Sequence, residues 1–437
     1  MRFHIRTLRS WKTLAILSAL VVGSLSTQGE PSGLPTPTWR LPDGRGVNLP
    51  DSSNTTLRIA QTLTDDIPPA VVRDLASTPV DVRTYPRGFF IPAYFTLDQT
   101  ATQILNERFH LIIVGRNSDY LGIDPDKTTV MAGPALLFSN SRGRQDEWNE
   151  IDAHEDWFFH SSSEMSPETR IPLSGYPHLF YMNVGSEGWR GFVVSKYGEV
   201  VTNNPAVKGV FVDGILAPSE YAAELGTAFP NYDSSTYQAK ILEFIAGIRN
   251  GVEGKLVILN SELFKPFTLA ADGGLAEGFV HFGGRRNDEH ISKTRWLENI
   301  ETIADRDFDD KYLLVGSGSL ETTLPSMLEY CYASFLIGYS ANARCYFYWH
   351  SNAEGGYSTI NWFPLWELDI GEPRGSYFES DGIYKRDFSE GVVLVNPNDI
   401  GEPITVSLDE TYVDSSGNTV TSMTLPNKSG AVLRKEQ

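Results

Sequence analysis

Two acidic residues close runs of β-forming residues. In "GVFVDG" (209–214), Asp213 follows Val-Phe-Val and precedes Gly214, which lets the chain turn away. In "LAEGFVH" (275–281), Glu277 holds a comparable place, and "DGGLA" before it predicts a short strand ending near it. A strand-end Asp often only caps the next helix or bonds loop amides. Two acids on different strands of one barrel match the demand of glycosidic bond cleavage more closely. One carboxyl group, kept protonated, donates to the leaving oxygen. The other attacks the sugar or activates water, according to whether the gap is about 5 Å or roughly 6.5–9.5 Å. Sequence gives no distance, so both outcomes stay open.

Other polar side chains fall at strand ends: Asn183 after "LFYM", Asn260 after "LVIL" and His350 after "CYFYW". Amides, carboxylates and an imidazole at one rim suit a polyhydroxylated ligand, because each unpaired buried polar group would cost roughly 1–3 kcal/mol. Trp157, Trp189, Trp349, Trp362 and Trp366 lie near predicted loops, and flat aromatic faces suit the apolar faces of sugar rings. Core packing is the ordinary role of a tryptophan. Trp157 and Trp349 are the stronger candidates for sugar platforms, because their neighbours are polar.

The elements that would hold these groups alternate along the chain. Candidate strands are 88–95, 109–115, 128–136, 179–183, 209–214, 255–260, 275–281, 312–318 and 345–350, most of them continuously apolar, as in strands covered on both faces. Helical stripes lie between them. In "SSTYQAKILEFIAGIRNG", Ser235 and Gln238 form a capping-box pattern, Tyr237, Ile241, Leu242, Ile245 and Ile248 share one face, and Asn250-Gly251 supplies a stop. Pro325 opens another helix. This alternation predicts an α/β fold, a (β/α)8 TIM barrel over 87–384. In such barrels functional groups stand at the carboxyl ends of the strands. Nine candidates for eight places leave one surplus, and 88–95 is the one expected outside the barrel. From 385 to 437 the helices disappear, and short runs with turn residues between them predict a small antiparallel β-domain, read as a compact sandwich.

The first 26 residues have a basic start (Arg2, Arg6, Arg9, Lys12) and a short apolar run, "TLAILSALVVGSL", followed by small residues. This reads as a secretory signal, because the run is too short to span a bilayer comfortably. A secreted or periplasmic protein is expected, with no membrane insertion once the signal is removed. Losing those four basic residues takes the formal charge from −19 to −23. So acidic a chain is a poor partner for nucleic acid or an anionic membrane, but that leaves uncharged and cationic polymers open. Residues 27–86 carry nine of the 25 prolines and read as an extended arm. Cys331 and Cys345 are the only cysteines. They support no metal-binding cysteine pattern, and either a disulfide or two buried thiols would fit.

The ordered series "EDWFFH", "YMNVGSEGWRGFV", "GVFVDG", "VILN", "DGGLAEGF" and "YKRDFSEGVVLVNP" resembles hypothetical glycosyl hydrolase family 15. It is more distantly similar to the endo-α-1,4-polygalactosaminidase barrels. The likeness spans about 88 to 432. It implies a secreted carbohydrate-active barrel in which Asp213 and Glu277 match the acids of the family's strand ends. One departure is Asn183, where relatives commonly carry Asp. The expectation is therefore a glycoside hydrolase needing no cofactor or metal. Asp213 is its nucleophile or general base and Glu277 its general acid, with the exchanged assignment equally open because either environment could raise a pKa, while Asp156, Trp157, Asn183, Asn260, Trp349 and His350 contact the carbohydrate. A non-catalytic carbohydrate-binding barrel is the alternative. A metal-dependent hydrolase using His281, His350 and Asp213 is the other rival, and it lacks the usual ligand motifs.

Overall fold

The structure is a computed structural model that describes residues 71–72, 89–90, 99–115, 122–134, 137–139, 145–174, 176–283, 288–319, 323–351 and 359–436. The expected signal segment (1–26) lies outside the described residues, as does nearly all of the proline-rich arm. Of that arm only Val71–Val72 is described, paired parallel with Thr359–Ile360.

Eight strands form one all-parallel sheet, each paired with the next in chain order: Phe89–Phe90, Leu111–Gly115, Thr128–Pro134, Gly209–Asp213, Leu256–Asn260, Gly273–Ala276, Tyr312–Ser319 and Arg344–Ser351. Leu111, Ile112, Ile113 and Val114 are all fully buried, which is why that strand reads as an unbroken apolar run. Helices separate most of the strands in sequence, the longest being Glu187–Asn203, Ser234–Gly251, Lys293–Ala304 and Pro325–Gly338. Cα atoms of the first and last strands approach within 8 Å. The architecture is that of an α/β barrel.

The surplus strand is not 88–95, as expected, but 179–183. Phe89 and Phe90 pair in register with Leu111 and Ile112. Leu179–Tyr181 of "LFYMN" instead close the strand Tyr176–Tyr181, which runs antiparallel to Leu137–Ser139 and Pro172–Leu173 in a separate three-stranded sheet. Buried Arg170 holds this excursion together. It donates to Asp152 (Nη1 to Oδ1, 2.6 Å) and to the Glu155 carboxylate, and its guanidinium lies 4.0 Å from the centre of the Phe158 ring.

The long helix Ser234–Gly251 begins two residues earlier than its Ser235–Gln238 pattern suggested. Asp233 is the N-cap, its Oδ1 accepting from the Thr236 N–H (2.7 Å) and from the Ser235 hydroxyl (2.7 Å). A carboxylate is the stronger acceptor for these orphan amides. Pro325 does stand in the first turn of the helix Pro325–Gly338. Cys331 and Cys345 are free, buried thiols, and burial pushes both up from their ordinary pKa.

The C-terminal strands join in one six-stranded antiparallel sheet, ordered Phe378–Ser380, Ile383–Asp387, Gly391–Asn396, Ser429–Lys435, Ile404–Val413 and Thr419–Leu425. The expected sandwich of two sheets is thus a single sheet. A bulge between Ser407 and Tyr412 bends the hairpin of the last two strands. Its Leu425, Ile404 and Val406 share a cluster with Leu394 and Leu433. The opposite face, with Val393, Val395 and Val432, joins the barrel core. Gly430 permits this approach, since a Cβ there would lie 2.7 Å from that of Ala333. Arg386 ties the two parts together. Buried, it donates to the carbonyls of Leu336 (3.0 Å), Ile337 (3.0 Å) and Tyr339 (2.5 Å), placing a cation at the carboxyl end of the helix Pro325–Gly338.

Candidate active site

Asp213 ends its strand, and Gly214 (φ +72°) turns the chain out of the sheet. Val212 pairs with Leu259, so Asp213 and Asn260 stand level on adjacent strands. Glu277 follows directly after the short strand Gly273–Ala276, as its flanking residues suggested. All three are buried, with relative exposures of 1% (Asp213), 2% (Asn260) and 1% (Glu277).

The Asn260 amide joins the two acids. Its Nδ2 lies 2.9 Å from Asp213 Oδ1 and 3.4 Å from Glu277 Oε2. One donor group thus spans both carboxyl groups, which offsets part of their desolvation and fixes their relative orientation. The buried Asn260 Oδ1 has no hydrogen-bond partner among the described residues. It is an acceptor at the centre of the pair.

A third acid stands next to them. Glu262 Oε1 accepts from the main-chain N–H of Glu277 at 3.1 Å. Burial first, then the nearby Glu220 carboxylate, push the Glu262 carboxyl up to about 7, against the opposing effects of that N–H and of Arg295. Glu220 is itself raised by burial, although its carboxylate accepts from the Ala217 N–H at 2.7 Å.

Trp349 and His350 lie on the last strand, His350 paired in register with Gly318. A Cβ at Gly318 would fall 2.4 Å from the His350 ring, so glycine makes room for the imidazole. Burial, with a smaller effect of His281, pushes His350 down to about 4, so its ring is neutral near pH 7. Trp349 is fully buried and its indole N–H donates to Thr323 Oγ1 (2.9 Å).

Asp156, Trp157 and Asn183 form a second cluster, outside the eight-stranded sheet. Asn183 Nδ2 donates to the Asp156 carbonyl (3.0 Å), its main-chain N–H to the Trp157 carbonyl (2.7 Å), and its Oδ1 accepts from Tyr232 (2.9 Å). Asn183 is therefore not at a barrel strand end, because its strand runs in the antiparallel excursion. Trp157 is buried, with His154 stacked on it at 4.3 Å and Trp189 and Phe192 beside it. That is packing against the helix Glu187–Asn203 rather than an open sugar platform. Asp156 is exposed and accepts from the Ser186 hydroxyl (3.0 Å).

Among the described residues, no group of three or more His, Cys, Asp or Glu side chains is arranged to hold a metal ion, and no helix is long and apolar enough to cross a membrane. The profile of hypothetical glycosyl hydrolase family 15 matches residues 138–392, more than half of the chain. The chain belongs to that family. It is a glycoside hydrolase, an enzyme of glycosidic bond cleavage. The matched span includes both acids, Asn260 and Arg386.

Among solved structures the chain is similar to Aspergillus fumigatus Ega3 in complex with galactosamine (11% identity, 66% of this chain and 97% of that one, TM-score 0.38). It is similar to the glycoside hydrolase domain of PelA from Pseudomonas aeruginosa (10% identity, 63% and 98%, TM-score 0.40). It also resembles an alpha-amylase from Geobacillus thermoleovorans complexed with acarbose (10% identity, 80% and 98%, TM-score 0.41). No curated protein matches the sequence.

Sequence reading did not find Glu262. In "NSELF" the two positions that take left-handed backbone are Glu262 and Leu263, neither of them the Gly, Asn or Asp that marks a tight turn, and a Glu beyond a strand end has the pattern of an ordinary surface residue.

Proposed function

We propose that this family member is a retaining glycoside hydrolase acting outside the cytoplasm on an uncharged or cationic poly- or oligosaccharide. Asp213 is its nucleophile and Glu277 its general acid, on a closed (β/α)8 barrel. The observation that supports this reading best is the single Asn260 amide shared by the two carboxyl groups. Even laid end to end, its 2.9 and 3.4 Å legs keep Asp213 Oδ1 and Glu277 Oε2 closer than the roughly 6.5 Å at which inverting spacing begins. A pair so close leaves little room for a water between acid and sugar, and favours direct attack by one carboxylate.

In this mechanism Glu277 protonates the leaving oxygen while Asp213 Oδ1 bonds to the anomeric carbon. Water, deprotonated by Glu277, then releases the sugar and restores both groups. Asn260 donates to both acids and offers Oδ1 to a sugar hydroxyl. Trp349 and His350 are proposed as rim contacts. The basic, then apolar, amino-terminal stretch supports secretion, and the acidic balance of the chain supports a substrate that is not anionic.

The test is reducing-end release from soluble starch, mixed-linkage β-glucan and partly deacetylated chitosan by the wild type, Asp213→Asn and Glu277→Gln. Both variants should remain folded, lose turnover and still bind the cleaved polymer. A product of inverted anomeric configuration, seen by NMR, would exclude the retaining pathway. Binding without release by the wild type would favour a carbohydrate-binding barrel instead.

A further inference from the structure

The chain leaves the strand Leu256–Asn260 through an unusual turn. The Phe264 N–H bonds to the Ser261 carbonyl (2.9 Å), and the two residues between, Glu262 and Leu263, have φ of +49° and +54°. Positive φ at both central positions belongs to a type I′ turn, where Gly, Asn and Asp are the usual occupants. A Glu-Leu pair there is strained, and such strain persists only when surrounding structure imposes it. Leu263 is buried, its Cδ2 only 3.1 Å from where a Cβ of Gly274 would stand. That accounts for Leu263 but not for Glu262.

The register accounts for Glu262. The ladder between the strands Leu256–Asn260 and Gly273–Ala276 ends at the pair Asn260 and Leu275. Two residues further on, Glu262 would have faced Glu277 through its backbone. The chain has already turned away there, and the Glu262 carboxyl takes over, accepting the Glu277 N–H at 3.1 Å.

We propose that Glu262 is a positioning residue for the general acid: from its left-handed turn it grips the main-chain N–H of Glu277 and holds that side chain against Asn260. This rests on the reading of Glu277 as the general acid. The groups facing Glu262 are Glu220 from the helix Pro218–Leu225, Arg295 from the helix Lys293–Ala304, and Glu277 itself.

Two variants separate positioning from mere structure. Asn tolerates a left-handed backbone but cannot reach the Glu277 N–H, so Glu262→Asn should melt no lower than the wild type while kcat falls by about a hundredfold with little change in KM. Glu262→Gln keeps the acceptor and loses the charge. It should keep most of kcat, because its amide oxygen still accepts the Glu277 N–H. Wild-type kcat in Glu262→Asn, or a kcat in Glu262→Gln as low as that of Glu262→Asn, overturns the proposal. Should Glu277→Gln still release reducing ends, the general-acid reading itself fails and the proposal with it. An inactive Glu277→Gln beside a fully active Glu262→Asn defeats the positioning role alone.

Discussion

Asp213 and Asn260 stand level on neighbouring parallel strands, with the Asn260 amide nitrogen 2.9 Å from Asp213 Oδ1. Both side chains are buried, so neither finds a ready substitute partner in solvent. Removing the amide should be felt in folding and in turnover together. Asn260→Ala leaves a buried carboxylate short of a donor, at a cost of about 1–3 kcal/mol. Asn260→Asp is worse, because it adds a third carboxyl group between two others. Thermal melts should order wild type above Asn260→Ala above Asn260→Asp, and turnover should fall in the same order.

The buried imidazole of His350 gives a pH signature. Its pKa of about 4 in the folded chain is below its ordinary 6.5. Between those values the unfolded chain binds more protons than the folded one, so this group's stabilisation is present above pH 6.5 and is lost as pH falls towards 4. The slope from one such group is at most about 1.4 kcal/mol per pH unit. Urea midpoints between pH 7 and 4 should therefore fall less steeply in His350→Gln than in the wild type.

Arg386 bonds carbonyls that no other described side chain caps by a hydrogen bond at the end of Pro325–Gly338. Arg386→Met should cost more than about 2 kcal/mol, because it strands several buried acceptors. Arg386→Lys should not restore it, since an ammonium cannot reproduce the planar fork. Urea unfolding measures the loss, and earlier proteolytic release of the C-terminal sheet would show where it falls.

Trp157 packs where Gly188 leaves space, a Cβ at Gly188 falling 2.4 Å from the indole nitrogen. Gly188→Ala should destabilise the chain by about 1–3 kcal/mol through overpacking. Trp157→Phe should also lower the melting temperature. If Trp157 only packs, neither change should raise KM for the cleaved polysaccharide. A large KM increase in Trp157→Phe with an unchanged melting temperature would instead make it a sugar contact.

Much of this molecule was written locally in the chain. Continuous apolar runs marked the buried parallel strands, amphipathic stripes the helices, and a carboxylate after "GVFV" the end of a strand, because burial on one or both faces leaves a short-range pattern. The order of motifs was enough to indicate the family. Tertiary structure decided what depends on partners distant in sequence. "LFYMN" looks like a barrel strand, yet it pairs antiparallel with Leu137–Ser139, and an apolar run does not record the direction of its neighbour. Asn260 reads as one more polar residue at a strand end, and only the registers of two strands put its amide between Asp213 and Glu277. Glu262 carried no turn signal at all. Its role follows from a chain that leaves the sheet early and a side chain that replaces the missing backbone bond. Spacing along the chain governs what each residue can form with near neighbours, while the site is made of contacts that exist only once the sheet has assembled.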